Sequence, residues 1–304
     1  MNILITNWHE PYVCLIAKTG HKFDCLERKA WDTCSRPVPR NVTLVTQDAA
    51  KHGRYDLHVY LGLPDIFRAP GLAQTATPKI FVMLNMLDTD MPAAETRGYL
   101  KSACEAQSIR IAFISEKKRA NWGIDGPVIV SGVSLYDHYG YTGEIARILC
   151  VGNYMWERRH MMGYHLHKQI LRDLPITYVG QNSWSAPARD WPALCSLYRS
   201  HRVFLSTLQE DHEDGYNLAM LEAMATGMPV VCWANSTSPI VSGNQNGYIS
   251  DDPDQLHDAL ALLLEDLRLA QRTGRKGRRT VAKQFPEDRC VNEWDELFKE
   301  TAGA

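Results

Sequence analysis

The chain has 304 residues, of which 45% are hydrophobic and 22% charged, the usual composition of a folded globular protein. Its length fits two domains of roughly 150 residues each, and its formal net charge of -2 argues against bulk nucleic acid as a partner. No apolar run is long enough for a membrane span, and the N-terminal sequence lacks the apolar core of a signal peptide. The 8 cysteines form no C-x-x-C pair, which favours a reducing, cytoplasmic compartment.

The first half of the chain alternates short apolar runs with longer polar stretches. The runs are β-branched and nearly continuous, as strands buried on both faces of a parallel sheet are. They lie at 2–6, 42–46, 56–62, 79–84, 110–114 and 127–131. Several of the intervening stretches have helical spacing, so we predict alternating β and α elements.

The second half repeats this alternation after a polar segment, 134–144, which we predict to be a linker. Strands are predicted at 147–151, 176–180, 203–207 and 230–234, and helices at 157–173, 191–200, 217–226 and 253–267. Two successive α/β blocks predict two doubly wound, Rossmann-like domains. We place the first at 1–145, completed by a C-terminal helix at 287–304 that returns to it, and the second at 146–286.

Residues 213–231, EDGYNLAMLEAMATGMPVV, combine a turn, a helix and an apolar strand. Asp214 lies in the turn, Glu222 lies in the second turn of the helix, and Gly227 is suited to end it. The start of a helix has unpaired N–H groups and a partial positive charge, which suit an anion or sugar hydroxyls. The carboxylate of Glu222 can accept two hydrogen bonds from the vicinal diol of a ribose. The spacing alone is equally compatible with an acidic turn that only stabilises the helix dipole.

This stretch resembles the E-x7-E motif of retaining GT-B glycosyltransferases, with Asp214 and Glu222 at the two acidic positions. The resemblance continues through 238–285. Upstream, ILCVGNYMWERRH is similar to the glycine turn that binds the diphosphate in this family. The resemblance covers 147–285 well and the first half only thinly. It implies an α/β fold of the GT-B type, in which two Rossmann-like doubly wound domains face a central cleft. The first domain would bind the acceptor and the second the nucleotide-sugar donor.

The resemblance also implies roles for individual residues. Glu222 would hold the ribose, Asp214 would contact the transferred hexose, and Arg158 would neutralise the diphosphate. Further predicted substrate-binding residues are Gly215, Tyr216, Asn217, Leu218, Gly152, Asn153, Arg159, Asn182, Trp184, His9 and Glu10. Among these, Trp184 is the candidate for stacking on the base, and His9 and Glu10 are candidate acceptor contacts.

Asn153 departs from the family pattern, which has an arginine at this position. Arg159 or His160 would therefore have to supply the second phosphate contact. The glycine-rich loop that the family has after its first strand is also absent, because NWHEPY stands in its place.

We therefore predict transfer of a hexose from a nucleoside-diphosphate sugar to an acceptor hydroxyl. UDP-glucose is the favoured donor, and the resemblance implies retention of configuration without an essential metal or other cofactor. The acceptor is a glycan, a protein or a small molecule. No nucleic-acid partner is expected, and peripheral membrane contact stays open. Two alternatives remain, a nucleotide-sugar epimerase or hydrolase of the same fold and a non-catalytic nucleotide-sugar-binding module.

Three other patterns carry weaker functional interpretations. Asp88-x-Asp90 resembles the metal-binding motif of GT-A glycosyltransferases, but this tripeptide is common. His160, His165 and His167 lie on one predicted helix at a spacing that does not direct them at one ion, so we expect solvated side chains. The basic run 272–279 is a candidate membrane or nucleic-acid patch, although a solvated helix face is the favoured interpretation.

Overall fold

The computed structural model describes residues 1–27, 29–62, 75–87, 93–241 and 245–303. The chain folds into two compact units, Met1–Gly132 with Asp288–Ala304 and Val133–Glu287. Each unit is built on one parallel sheet whose strands are connected by helices. The predicted α/β class with two doubly wound, Rossmann-like sheets is confirmed.

The sheet of the first unit has six strands in the order β3-β2-β1-β4-β5-β6, and the pairings are parallel. The strands are β1 (Asn2–Thr6), β2 (Lys22–Leu26), β3 (Val42–Val45), β4 (Leu57–Leu61), β5 (Lys79–Met83) and β6 (Ile109–Phe113). The connecting helices are α1 (Glu10–Ala17), α2 (Gln47–His52), α3 (Ala93–Ala106) and α4 (Glu116–Trp122). The strand order reverses between β1 and β4, so their carboxyl ends form the topological switch point at which such sheets bind ligands.

The strand predictions for this unit miss one strand and include one that does not form. Strand β2 was not predicted, because Lys22 and Asp24 interrupt its apolar pattern. The strand predicted at 127–131 is reduced to a single bridge between Val128 and Phe113. Pro127 contributes to this because it has no N–H to donate to a ladder.

The sheet of the second unit has five strands in the order β11-β10-β9-β7-β8, again with parallel pairings. The strands are β7 (Ile145–Val151), β8 (Ile176–Val179), β9 (His201–Ser206), β10 (Val230–Trp233) and β11 (Tyr248–Ser250). When β7 is counted as the first strand, this is the 2-1-3-4-5 order of flavodoxin-like sheets. The switch point of this sheet therefore lies between the carboxyl ends of β7 and β9.

The helices of the second unit are α5 (Arg159–Met162), α6 (His167–Leu171), α7 (Trp191–Ser200), α8 (Leu218–Thr226), α9 (Pro253–Glu265) and α10 (Leu267–Gln284). The single helix predicted over 157–173 is wrong, because the chain breaks at Gly163, whose φ is 61°. A Cβ atom at Gly163 would lie 2.0 Å from the carbonyl oxygen of Thr207. The break thus lets the backbone pack directly against the loop that follows β9.

Segment 134–144 was predicted to be a linker, and the structure places it inside the second unit. The hydroxyl of Tyr141 donates to the carbonyl oxygen of Arg202 at 2.6 Å. Arg278 on α10 donates to the carbonyl oxygens of Leu135 and His138. These contacts fix the segment against its own unit.

The last helix, α11 (Glu287–Ala302), packs against the sheet of the first unit. Trp294 meets Tyr12 edge to face at a centroid distance of 6.2 Å, and Phe298 lies 6.5 Å from Phe23. Both Trp294 and Phe298 are completely buried. Among the residues that the structure describes, no helix is long and apolar enough to cross a bilayer.

Candidate functional site

The functional candidates of the second unit lie in the loops that follow the carboxyl ends of β7, β8 and β9, and in two adjacent helices. The loops 152–158, 180–190 and 207–217, with the adjacent helices α5 and α8, contain Gly152, Asn153, Arg158, Arg159, Asn182, Trp184, Asp214, Gly215, Tyr216, Asn217, Leu218 and Glu222. Because all strands run parallel, these residues share one edge of the sheet, and β7 and β9 flank its switch point.

The loops after β7 and β8 are held together by two asparagine side chains. Asn153 Oδ1 accepts from the Gln181 N–H at 2.8 Å. Asn182 Nδ2 donates to the Gly152 carbonyl at 2.9 Å, and Asn182 Oδ1 accepts from the Met155 N–H at 2.9 Å. Both amides therefore shape the loops, and much of their hydrogen-bonding capacity is used inside the protein.

Arg158 and Arg159 differ in their surroundings. The Arg158 side chain as a whole is exposed, yet local desolvation lowers the pKa of its guanidinium, and the carboxylate of Glu213 opposes this shift. An arginine remains protonated despite such a shift, so Arg158 supplies a cation within electrostatic reach of the loop after β9. The Arg159 guanidinium instead lies 5.3 Å from the ring centre of Trp156 and donates to its carbonyl oxygen at 3.3 Å.

Helix α8 begins with an asparagine cap. Asn217 Oδ1 accepts from the N–H of Met220 at 2.8 Å, and the helix ends at Gly227 with φ 97°, as its sequence predicts. Within the described part of the chain, no atom accepts from the N–H groups of Leu218 and Ala219. The first turn therefore combines the positive end of the helix dipole with two donors suited to an anion.

The turn before α8 is fixed against the loop after β10. The Gly215 N–H donates to Thr237 Oγ1 at 2.7 Å, and a Cβ atom at Gly215 would lie 2.5 Å from the nitrogen of Ser238. Asn235 Nδ2 donates to the carbonyl oxygen of Glu213 at 3.1 Å. We expected the Gly215 amide to contact a ligand, but its N–H is occupied inside the protein. The neighbouring Asp214 is held at 2% exposure.

The aromatic and acidic candidates are partly or fully covered. Trp184 stacks on Tyr164 at a centroid distance of 4.9 Å and is 40% exposed. Tyr216 packs edge to face against Phe285 at 5.0 Å. Glu222, on α8, is 4% exposed. Trp184 thus retains surface for a flat ligand, whereas the Tyr216 ring contributes to packing.

His167 is a residue that sequence reasoning misjudged, because it is buried at 3% exposure and not solvated. Its Nε2 lies 2.9 Å from Thr207 Oγ1 and its Nδ1 2.9 Å from the hydroxyl of Tyr178. Thr207 uses its only proton to donate to the Met162 carbonyl at 2.6 Å. His167 therefore donates from Nε2, and in the neutral ring its Nδ1 accepts from the hydroxyl of Tyr178. Burial lowers the pKa of His167 to about 4, in agreement with a neutral ring.

The two candidates in the first unit have different environments. Glu10 is 4% exposed, and its carboxylate accepts from Asn7 Nδ2 and the Asp32 N–H, each at 3.3 Å, and from Lys29 Nζ at 3.2 Å. Glu10 therefore stabilises the loops around it. His9 is exposed at the start of α1, beyond the carboxyl end of β1 and thus at the switch point of that sheet.

The Asp88-x-Asp90 pattern lies outside the described residues. Within the ranges that are described, no group of three or more His, Cys, Asp or Glu side chains is placed to hold a metal ion.

Comparison with known proteins shows what the second unit is similar to. Residues 145–266 match the family described as Glycosyl transferases group 1. This match lies within the second unit. A curated relative, an exopolysaccharide phosphotransferase of Streptomyces coelicolor, is 30% identical over 103 residues, which are 33% of this chain and only 11% of that protein.

Several solved structures share the fold of the chain. HepE of Anabaena, in complex with UDP and glucose, has a TM-score of 0.72 at 12% identity, with 99% of this chain and 100% of that chain covered. Sucrose-phosphate synthase of Thermosynechococcus elongatus has a TM-score of 0.70 at 14% identity, with coverage of 99% and 98%. TarM, at a TM-score of 0.62 and 17% identity, is matched by 80% of this chain, which spans only 54% of TarM. The predicted GT-B fold class is confirmed.

Proposed function

We propose that the protein transfers a hexose from a nucleoside-diphosphate sugar to an acceptor hydroxyl. The observation that carries this proposal is the grouping at the switch point of the second sheet. There a protonated Arg158, the first turn of α8 and the carboxylates of Asp214 and Glu222 share one sheet edge. A diphosphate requires cations and N–H donors, and the hydroxyls of a ribose and a hexose require carboxylates. The match of 145–266 to group 1 glycosyltransferases supports the same function.

Each element has one role in the proposal. Arg158 neutralises the charge that develops on the leaving diphosphate, which is the main catalytic requirement of this reaction. The N–H groups of Leu218 and Ala219 bind phosphate or sugar oxygens. Glu222 accepts hydrogen bonds from the ribose hydroxyls, and Asp214 contacts the hexose.

UDP-glucose is the donor that we favour. The fold neighbour HepE has been crystallised with UDP and glucose and with UDP-glucose, and UDP is the commonest donor nucleotide in the family that the sequence resembles. Trp184 is the side chain that we assign to the base, because its ring remains partly exposed. Acceptor recognition is assigned to the first unit, with His9 as its candidate contact.

We further propose that the configuration at the anomeric carbon is retained, without an essential metal. In this front-face reaction the acceptor oxygen bonds to the anomeric carbon on the face from which the diphosphate leaves. The acceptor proton passes to an oxygen of that leaving group, so no side chain needs to act as a nucleophile. Isolation of a covalent glycosyl-protein with a slow donor would disprove this mechanism.

The thiols support a cytoplasmic location for this activity. The 8 cysteines, all of which lie in the described ranges, form no disulfide bond, and burial raises the pKa of several, such as Cys25 and Cys150, each to about 12. Such thiols are inert packing groups that need no disulfide partner, as expected in a reducing compartment.

A thermal-shift panel tests the donor site. UDP, GDP, ADP and their glucose, N-acetylglucosamine and mannose conjugates are compared with and without EDTA, in the wild type and in Glu222→Gln. A ligand at a hundredfold excess over its Kd adds about 2.7 kcal/mol, which shifts the Tm by roughly 2–4 °C per kcal/mol in a protein of this size. We expect a shift with uridine nucleotides that is insensitive to EDTA and reduced in Glu222→Gln.

The other outcomes separate the alternatives. A shift that requires a divalent metal would contradict metal independence and return attention to Asp88 and Asp90. Conversion of a nucleotide sugar without any acceptor would indicate an epimerase or hydrolase. Binding without turnover across a wide acceptor panel would indicate a binding module. The absence of any thermal shift would contradict the assignment of the donor site to the second unit.

A further inference from the structure

The exposed face of α10 has an unusually regular basic surface. Its side chains, which we call the basic stripe, are Arg268, Arg272, Arg275, Lys276, Arg279 and Lys283, and all are exposed. At 3.6 residues per turn their spacing keeps them within an arc of about 100° and along roughly 22 Å of the helix. The opposite face packs into the unit through Ala270, Thr273, Gly274, Gly277 and Val281.

The charges of the basic stripe are not compensated within the protein. Helix α10 contains no Asp or Glu. Across the described part of the chain, no ion pair or hydrogen bond involves the side chain of a stripe residue, whereas the side chain of Arg278, just beside the stripe, donates to two carbonyl oxygens. Like charges three and four residues apart on a helix destabilise it. The stripe therefore weakens the helix on which it lies, so a contribution to folding does not explain it.

An exposed aromatic residue flanks the basic stripe. Arg278 binds the carbonyl oxygens of Leu135 and His138, which lie on either side of Tyr136 in the sequence. The side chain of Tyr136 is 88% exposed, the highest exposure among the large apolar and aromatic side chains described. Tyrosine is enriched where a protein meets the headgroup region of a membrane, because its ring is apolar and its hydroxyl is polar.

We propose that the basic stripe and Tyr136 dock the protein on a membrane that contains anionic lipid headgroups. Clusters of four to eight Lys and Arg on one helix face bind such surfaces electrostatically. The apolar face of α10 is already buried in the unit, so the helix does not insert and the contact is peripheral. The exposed Tyr136 beside the stripe favours a lipid headgroup region as the occupant, and duplex DNA, another polyanion, is included in the test.

Vesicle sedimentation of the full chain tests this proposal without any turnover, so its result is independent of the proposed glycosyltransferase activity. Vesicles of phosphatidylcholine alone are compared with vesicles that contain equal parts of phosphatidylcholine and phosphatidylglycerol. Binding is expected only to the anionic vesicles and is expected to be lost between about 0.1 M and about 1 M salt, since the Debye length falls from about 10 Å to about 3 Å.

The test variant replaces four stripe residues, Arg272, Arg275, Lys276 and Arg279, by glutamine. The matched control replaces four exposed basic residues of the first unit, Arg40, Lys51, Arg54 and Lys101, by glutamine. The stripe variant is expected to bind anionic vesicles roughly 100-fold more weakly or worse, while the control binds like the wild type. Tyr136→Ser, which leaves the charge unchanged, is expected to weaken binding several-fold.

Three results would overturn the proposal. The first is an equal loss in the stripe variant and the control, which would indicate only general charge. The second is a wild type that binds both vesicle types equally, or that binds neither of them. The third is tighter binding of the wild type to a short duplex DNA than to anionic vesicles at the same salt, which would assign the stripe to nucleic acid. Tyr136→Ser with unchanged affinity would remove the aromatic part of the proposed surface.

Discussion

His167 donates from Nε2 to the hydroxyl of Thr207 across 2.9 Å, and this bond joins α6 to the loop that leads from β9 towards Asp214. The Thr207 hydroxyl in turn donates to the Met162 carbonyl at the end of α5. The Thr207 hydroxyl therefore links the loop after β9 directly to α5, and the buried, neutral imidazole of His167 donates to that hydroxyl. Protonation of that ring would require the Tyr178 hydroxyl to accept from Nδ1 instead of donating to it, and it would place a charge in a buried site, so the packing around His167 depends on pH.

The stability of the protein should depend on the protonation of His167. Its pKa is about 4 in the folded state and about 6.5 in an unfolded chain, so between these pH values the unfolded state binds more protons. Stability is therefore full above about pH 6.5 and falls as the pH drops towards 4. The shift corresponds to roughly 3 kcal/mol as an upper estimate. Urea unfolding at pH 7.5, 6, 5 and 4 measures it.

His167→Gln should flatten part of that profile, because glutamine does not titrate. The matched control is His52→Gln, at an exposed position at the end of α2. Burial also lowers the pKa of His201, so some slope in the same direction should remain in the variant. A profile for His167→Gln that parallels the wild type would show that His167 is not a source of the pH dependence.

Gly215→Ala should destabilise the second unit and disturb the turn before α8. The new Cβ atom would lie 2.5 Å from the Ser238 nitrogen and 2.8 Å from its Cα, and backbone atoms cannot move aside as the end of a side chain can. We expect a loss of about 1–3 kcal/mol, measured as a lower Tm, together with weaker UDP binding.

Gly98→Ala is the matched control for Gly215→Ala. Gly98 lies in α3 of the first unit, and a Cβ atom there would meet nothing within 4 Å. Alanine is a better helix former, so this variant should be more stable by about 0.5–1 kcal/mol. A Gly215→Ala protein with the same Tm and UDP affinity as the wild type would contradict the close packing of this turn.

The two sheets could be predicted because their strands read as short, nearly continuous apolar runs. The exceptions have two physical causes. Strand β2 contains Lys22 and Asp24, which interrupt its apolar run, so the pattern does not indicate a strand there. The helix expected over 157–173 is interrupted at Gly163, where the close approach of Thr207 selects a left-handed backbone. Contacts between segments distant in the sequence decide such breaks, so the local pattern does not reveal them.

The candidate site was predicted as a set of residues but not as a set of contacts. The position of Asn217 before a run of helix formers was sufficient to predict the start of α8. The partner of Gly215, in contrast, is a threonine hydroxyl 22 positions away, and spacing gives no sign of it. His167 did leave a local signal, because it shares one helix face with the buried Ile170 and Leu171.

Arg158→Gln should lower kcat while the protein remains folded. Removal of one group that stabilises developing charge costs about 10²–10³ in rate in other enzymes. The protein is expected to stay folded because Arg158 as a whole is exposed. The assay is release of UDP from UDP-glucose in the presence of acceptor. Arg40→Gln, exposed in the first unit, is the control. Equal kcat in Arg158→Gln and the wild type would exclude Arg158 from the diphosphate site.

Glu222→Gln and Asp214→Asn should separate binding from turnover. Both side chains are buried, at 4% and 2% exposure, and both replacements keep the shape while removing the charge. Glu222→Gln should weaken UDP by about 1–3 kcal/mol, the range for a hydrogen bond to a charged group, whereas Asp214→Asn should keep the UDP affinity and lower kcat. Glu265→Gln and Asp258→Asn, on exposed positions of α9, are the matched controls. Calorimetry with UDP and initial rates with UDP-glucose measure the two effects. If both variants lost UDP affinity equally and kept kcat, Asp214 would belong to the nucleotide and not to the hexose.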